Sequence, residues 1–315
     1  MITIAGAGVA GLACGYELAK RGEKVRIFDR APGLAGNGCS WFAGGMLAPW
    51  CEGETAEPEV VRLGAGAINW WAQFTPVTRR GTLVVAPPRD QAELARFARR
   101  TERHRSVSGD EIGHLEGALS GRFSSGLFFE DEAHLDPRQA LTDLVNAVKS
   151  LGVEILWDTQ APDRVDVDCR GMHAHLPGLR AVRGEMALIH APDVHLTRTV
   201  RLLHPRVPVY VVPRGDGYYM LGATMVESDA PGPVTIRAML ELLGAAFALH
   251  PGFAEAQIVE TGSGLRPAFD DNIPRVQWRG ETLHVNGFYR HGFLIAPALA
   301  RAAAAHLSPQ RQEAS

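Results

Sequence analysis

Thr3-Ile4-Ala5 forms a short apolar run, and after Gly6-Ala7-Gly8-Val9-Ala10-Gly11 the apolar positions Leu12, Tyr16 and Leu18 follow. The pattern predicts a strand, a tight turn and a helix over residues 9–21 that stops at Gly22. A second strand over 24–28 ends on Asp29. Residues 31–49 are rich in Gly, Ala and Pro and read as a loop. Over 57–74, Val60, Val61, Leu63, Ala67, Ile68, Trp70 and Trp71 predict a helix in which the Trp pair is packing rather than chemistry. A strand over 82–86 is halted by Pro87-Pro88, and Asp90 can cap a helix reaching residue 105.

Asp136-Pro137 supplies an N-cap and first-turn pair for a helix carrying Leu141, Leu144, Val145, Val148 and Leu151 up to Gly152. Strands over 153–157 and 165–168 follow. Residues 181–261 are mainly β, with a hairpin of 207–213 and 218–224 around Arg214-Gly215-Asp216-Gly217 and a helix over 234–250. A last hairpin turns near Arg279-Gly280, and Gly287 to Phe293 leads into an Ala-rich helix ending near 307. No internal repeat appears. The order predicts a discontinuous α/β nucleotide-binding domain (1–75, 135–175 and 263–315) with a β-rich domain (76–134 and 176–262) inserted between its parts.

Composition narrows the function classes. A chain of 315 residues, 46% hydrophobic and 21% charged, can bury sizeable cores. A net charge of -3 gives no reason to expect nucleic acid or an anionic membrane as partner. The basic cluster Arg96, Arg99, Arg100, Arg103 and Arg105 is balanced by neighbouring acids. No apolar run approaches the ~18 residues of a spanning helix, and the apolar start lacks a basic n-region, so a cytoplasmic protein is expected. Cys14, Cys39, Cys51 and Cys169 make no CxxC pair and show no zinc-like spacing with histidine, so no metal is expected.

The opening stretch carries chemistry. Gly6 permits the tight turn, Gly8 lets a pyrophosphate approach the backbone and Gly11 lets the helix pack on the strand. The helix start then offers N–H groups and a positive dipole end to phosphate, and Asp29 can accept from ribose hydroxyls. The loop around Cys39-Ser40-Trp41-Phe42-Ala43-Gly44-Gly45-Met46 suits a backbone lying against a planar ligand better than a flexible surface. Arg266, before Pro267, is on its own merits as much a buried structural arginine as a carboxylate fork. Tyr210 is read against the alternative of a core aromatic, and Arg290 against a structural role.

Four stretches in order carry a family likeness: the opening fingerprint to Asp29; Cys39-Ser40 with Ala43 to Leu47; Tyr210 to Arg214 with Leu221 to Thr224; and Gly264-Leu265-Arg266-Pro267 with Gly287 to Pro297. The chain resembles the FAD-dependent D-amino-acid oxidase superfamily and, within it, the glycine oxidases of thiamine biosynthesis. The resemblance implies a Rossmann-like FAD domain with an inserted β-rich substrate domain. It also implies oxidation of an amino acid to an imine, with oxygen returning hydrogen peroxide. For glycine the imine gives glyoxylate and ammonia or passes to thiazole synthesis.

Non-covalent FAD contacts are implied for Gly6, Gly8, Val9, Ala10, Gly11, Asp29, Arg30, Ser40, Gly44, Gly45, Met46, Ala161 and Gly171. The segment Arg290, His291, Gly292, Phe293 and Leu294 is implied at the isoalloxazine edge. Arg266, Tyr210 and Arg290 are the implied substrate residues, and no side chain is a catalytic acid or base because flavin N5 accepts the hydride. The implied partners are glycine and O2, with thiazole synthase as a further one; relatives imply a homo-oligomer. A D-amino-acid or sarcosine oxidase or dehydrogenase is the rival reading, and a catalytically silent flavin-binding module the rival from another class.

Overall fold

The computed structural model describes residues 1–35, 38–204 and 208–308. Val207, expected in the first hairpin strand, and the terminal 309–315 lie outside the described residues. Four long helices position the site: α1 (Val9–Lys20), α2 (Pro137–Ser150), α3 (Ile236–Leu249) and α4 (Gly292–Leu307).

Six strands form the first sheet, in the order Arg275–Arg279, Thr282–Asn286, Val167–Asp168, Ile2–Ala5 (β1), Val25–Phe28 (β2) and Glu154–Leu156. All neighbours run parallel except the hairpin of 275–279 with 282–286. Parallel strands covered on both faces are continuously apolar. Ile4, Leu12, Ile27, Leu144 and Ile295 are accordingly all fully buried in one core with α1, α2 and α4. Asp136 caps α2 by accepting from the N–H groups of Arg138 and Gln139, with Pro137 in the first turn.

Nine strands form the second sheet. Val226–Glu227, Leu179–His190 (β3), Tyr218–Gly222, Val209–Gly215 (β4), Thr199–Leu202, Thr82–Val85, Ser125–Phe129 and Arg105–Ser108 follow one another, and Gln257–Phe269 (β5) pairs along β3. The hairpin from β4 to Tyr218–Gly222 turns on Asp216 and Gly217, both at positive φ (48° and 74°), the conformation a two-residue Asp-Gly turn requires. Thr235 caps α3, which packs on this sheet.

Three expectations change. The stretch 57–74 is two helices, Pro58–Gly64 and Ala67–Trp71. A Cβ at Gly64 would come 2.7 Å from Leu294, so α4 is seated against the end of the first of them. The helix begun near Asp90 ends at Arg100, Arg105 starts a strand, and Asp90 makes no side-chain cap bond. β5 stays paired with β3 as far as Phe269, so the boundary expected at residue 263 falls inside a strand of the second sheet.

Candidate active site

A cavity of about 850 Å³ runs from the turn between β1 and α1 to the β3–β5 pair, and both sheets supply its wall. This is the upper range for small-molecule sites. Gly6 sits at φ +98°, where a Cβ would come 2.7 Å from the Cys169 carbonyl oxygen. A Cβ at Gly11 would collide with the Gly6 carbonyl oxygen, so glycine there lets α1 rest on the turn. Gly8 is the N-cap of α1 and lines the cavity with Val9 and Ala10. The first turn of α1 thus meets the cavity through the backbone at Gly8, a cradle that fits a dinucleotide pyrophosphate.

Ser40 Oγ accepts from the Val9 N–H at 3.3 Å. Asp29 holds the turn itself: its carboxylate accepts from the N–H of Ala7 (2.6 Å) and of Ala31 (2.9 Å). With Arg30, Ser40, Ala161 and Gly171 it lines the cavity.

Gly44 lines the cavity, whereas Gly45 and Met46 lie behind it. A Cβ at Gly45 would strike the Leu135 carbonyl oxygen, and the Gly45 oxygen accepts from the Leu135 N–H at 2.9 Å. Met46 packs into the core around Cys51 and Phe129. Arg214 braces the same loop by donating to the Gly44 oxygen at 2.7 Å. Gly11, His291 and Leu294 also stand behind the lining, while Arg290, Gly292 and Phe293 are in it. Of the two aromatics in this loop, Trp41 lies under the Arg138 guanidinium (4.8 Å) and only Phe42 enters the wall. The Trp pair is packing: Trp71 stacks on Phe293 at 5.2 Å and donates to its carbonyl oxygen at 2.7 Å, bracing the start of α4.

At the other end of the cavity, Tyr210 on β4 fills the space left by two glycines. A Cβ at Gly44 would come 2.8 Å from its ring, and one at Gly222 2.5 Å. Burial raises its phenol above the ordinary value, so it stays protonated. Arg266 on β5 donates through Nη1 to the Thr224 carbonyl oxygen at 3.0 Å and has no acidic partner among the described residues. Arg290 differs: its Nε and Nη2 donate to Glu52 Oε2 at 2.9 and 2.6 Å, and Nη2 also reaches Thr55. The Tyr289 N–H donates to the Pro267 oxygen at 2.8 Å and ties this segment to the Arg266 strand.

Glu52 escaped sequence reading. Its buried carboxylate accepts from Arg290, ion-pairs with Arg201, and lies 3.4 Å from His291 Nδ1. Burial alone would raise its carboxyl; the guanidinium groups of Arg290 and Arg201 outweigh this and hold it well below the usual range. Burial also pushes His291 down to about 3, so it is neutral and a poor base at neutral pH. Glu132, also buried, accepts from the Cys51 N–H through Oε1 at 2.7 Å while its Oε2 has no hydrogen-bond partner among the described residues.

Burial raises Glu132 from 4.5 to about 7. A carboxyl raised on folding adds stability below its unfolded value, and this is lost as pH rises through the folded one. A shift of this size corresponds to about 3 kcal/mol between pH 4.5 and 7. Glu132→Gln is therefore expected to gain thermal stability over the unsubstituted protein as pH rises from 5 to 8, read as the difference in Tm. An unchanged gap at the two pH values would show that Glu132 is ionised throughout.

Two sheets that share one cavity, with a phosphate cradle at one end and an uncompensated arginine at the other, define a dinucleotide-cofactor oxidoreductase with a separate substrate side. The chain belongs to the FAD-dependent oxidoreductase family, whose model matches residues 1–306. It is 52% identical over 307 residues to a Rhizobium etli protein provisionally named thiamine biosynthesis oxidoreductase ThiO, covering 95% of this chain and 94% of that one. It is 25% identical over 342 residues to the glycine oxidase of Geobacillus kaustophilus (94% and 89% covered). The crystal structure of that enzyme superposes with a TM-score of 0.81 at 22% identity, over 96% of this chain and 93% of that one. A Synechocystis bifunctional ThiO/ThiG protein matches at 24% identity over 338 residues, 95% of this chain and 50% of its own length. No described helix is long and apolar enough to cross a membrane.

Proposed function

We propose that this FAD enzyme oxidises glycine, with O2 and water, to glyoxylate, ammonia and hydrogen peroxide by way of the imine. One observation carries the reading: Arg266 presents a guanidinium in the cavity with no acidic partner among the described residues, while Arg290 is ion-paired with Glu52. A cation left unpaired in a partly enclosed site is a receptor for one carboxylate. The Tyr210 hydroxyl shares that carboxylate, and the Arg290 carbonyl accepts from the amine. Bound FAD supplies the two-electron acceptor. The chain's part is to hold the substrate Cα–H in line with the amine neutral. Neither His291, depressed by burial, nor Glu52, held by arginines, serves as the proton acceptor.

The names of the Rhizobium and Synechocystis relatives support a place in thiamine biosynthesis, with the imine passed to a thiazole-forming partner. Anaerobic mixing of the purified yellow protein with glycine is expected to bleach the flavin faster than sarcosine or D-alanine does. Faster bleaching by either competitor would reassign the substrate. Bleaching by none of the three would leave a silent flavin module.

A further inference from the structure

Gly184 lies on β3 opposite Gly264 of β5, two positions along from the Val182–Arg266 pair. The gap left by its missing side chain is filled: a Cβ at Gly184 would overlap the Arg266 guanidinium, with Cζ, Nη2 and Nη1 its three nearest atoms. Gly184 has no positive φ, so glycine is not required there for backbone conformation. What the position requires is room.

The far side of the same guanidinium is fixed by Thr224, whose carbonyl oxygen takes Nη1 at 3.0 Å. Thr224 is itself clamped by the residue after Gly184. Its N–H donates to the Glu185 carbonyl oxygen at 3.2 Å, its hydroxyl donates to Glu185 Oε2 at 3.0 Å and accepts from the Glu185 N–H at 3.0 Å. Glu185 is almost fully buried, pairs with Arg183 at 3.0 Å and accepts from the Thr235 N–H at 2.9 Å.

We infer that Gly184 is a positioning residue for the substrate carboxylate. It is the floor of a seat in which the Arg266 guanidinium lies flat across β3, held at its edge by Thr224 and with no acid to hold it. The seat replaces the counter-ion: it fixes the fork by shape and one neutral acceptor, leaving its charge for the substrate. Side-chain volume at 184 therefore sets the height of the anchor above β3. The inference rests on the reading of Arg266 as the carboxylate anchor.

The test is a cycle of Gly184→Ala, Arg266→Ala and the double variant as holoenzymes. Two readouts are followed: glycine steady-state kinetics, and the dissociation constant of acetate titrated against the flavin absorbance. Gly184→Ala is expected to raise the glycine KM and the acetate dissociation constant together by at least tenfold, with kcat changed less than threefold. In the Arg266→Ala background the same substitution is expected to change KM less than twofold, because the guanidinium it would displace is gone. If Gly184→Ala alone fails to fold, the double variant is expected to recover folding and flavin content; failure of both would place the fault in the strand and overturn the inference. An effect of Gly184→Ala equal in both backgrounds, or none where Arg266→Ala raises KM, also overturns it. An Arg266→Ala enzyme with unchanged KM would instead bring down the anchor reading, and this inference with it.

Discussion

Arg266→Ala is expected to raise the KM for glycine by about two to three orders of magnitude and to leave bound FAD in place. Truncating one member of a desolvated charge pair costs about 2–5 kcal/mol, and each 1.4 kcal/mol is about tenfold in binding. The loss is concentrated on substrate because, among the described residues, the guanidinium has one hydrogen bond, to the Thr224 oxygen, and no acid that its removal would strand. The carboxylate lies away from the reacting bond, so the interaction is made in ground and transition states alike, and the change falls mainly on KM. Arg266→Lys is expected between the two: it keeps the charge but not the planar fork. Glycine kinetics with the flavin-to-protein absorbance ratio check the result. A KM within threefold of the unsubstituted enzyme, at full flavin content, would show that the carboxylate binds elsewhere.

What could be read from the sequence was set by local spacing. The Gly6, Gly8 and Gly11 pattern and the Asp29 strand end depend on neighbours within one strand–turn–helix unit, and the structure puts them around one turn. The Asp216-Gly217 hairpin is local in the same sense. Residues whose role depends on distant partners were hidden. Glu52 looks like a surface acid after Pro49; its partners Arg201 and Arg290 lie 149 and 238 positions away. Gly184 matters because of a side chain on a strand 82 residues later, a relation fixed by the β3–β5 register rather than by any motif. Gly45 and Met46, adjacent to Gly44 in sequence, were grouped with it as cofactor contacts. Gly45, at φ +74°, meets Leu135 and Met46 packs into the Cys51 core, both away from the cavity lining.

The positive end of the cavity is built with two arginines in different electrostatic states, and Glu52 sets the difference. Removing its charge leaves Arg201, nearly buried, and Arg290 without their shared counter-ion. Breaking a buried pair from one side costs about 3–5 kcal/mol, more than the pair's net worth, because the remaining charges stay desolvated. At about 1.5 °C per kcal/mol for a chain of 315 residues, Glu52→Gln is expected to lower the apo-protein Tm by about 5–8 °C at pH 7. Working on apo-protein keeps the result separate from flavin release. The pH dependence is a second signature. Glu52 is held below the usual carboxylate range, so its contribution is fully present above about pH 4.3 and fades as pH falls through the folded value. The Tm gap between the two proteins should therefore be widest near neutrality and narrow on acidification toward pH 3. A gap that stays constant across that range would mean the loss comes from packing and not from the charge, and the division of labour between Arg266 and Arg290 would lose its physical basis.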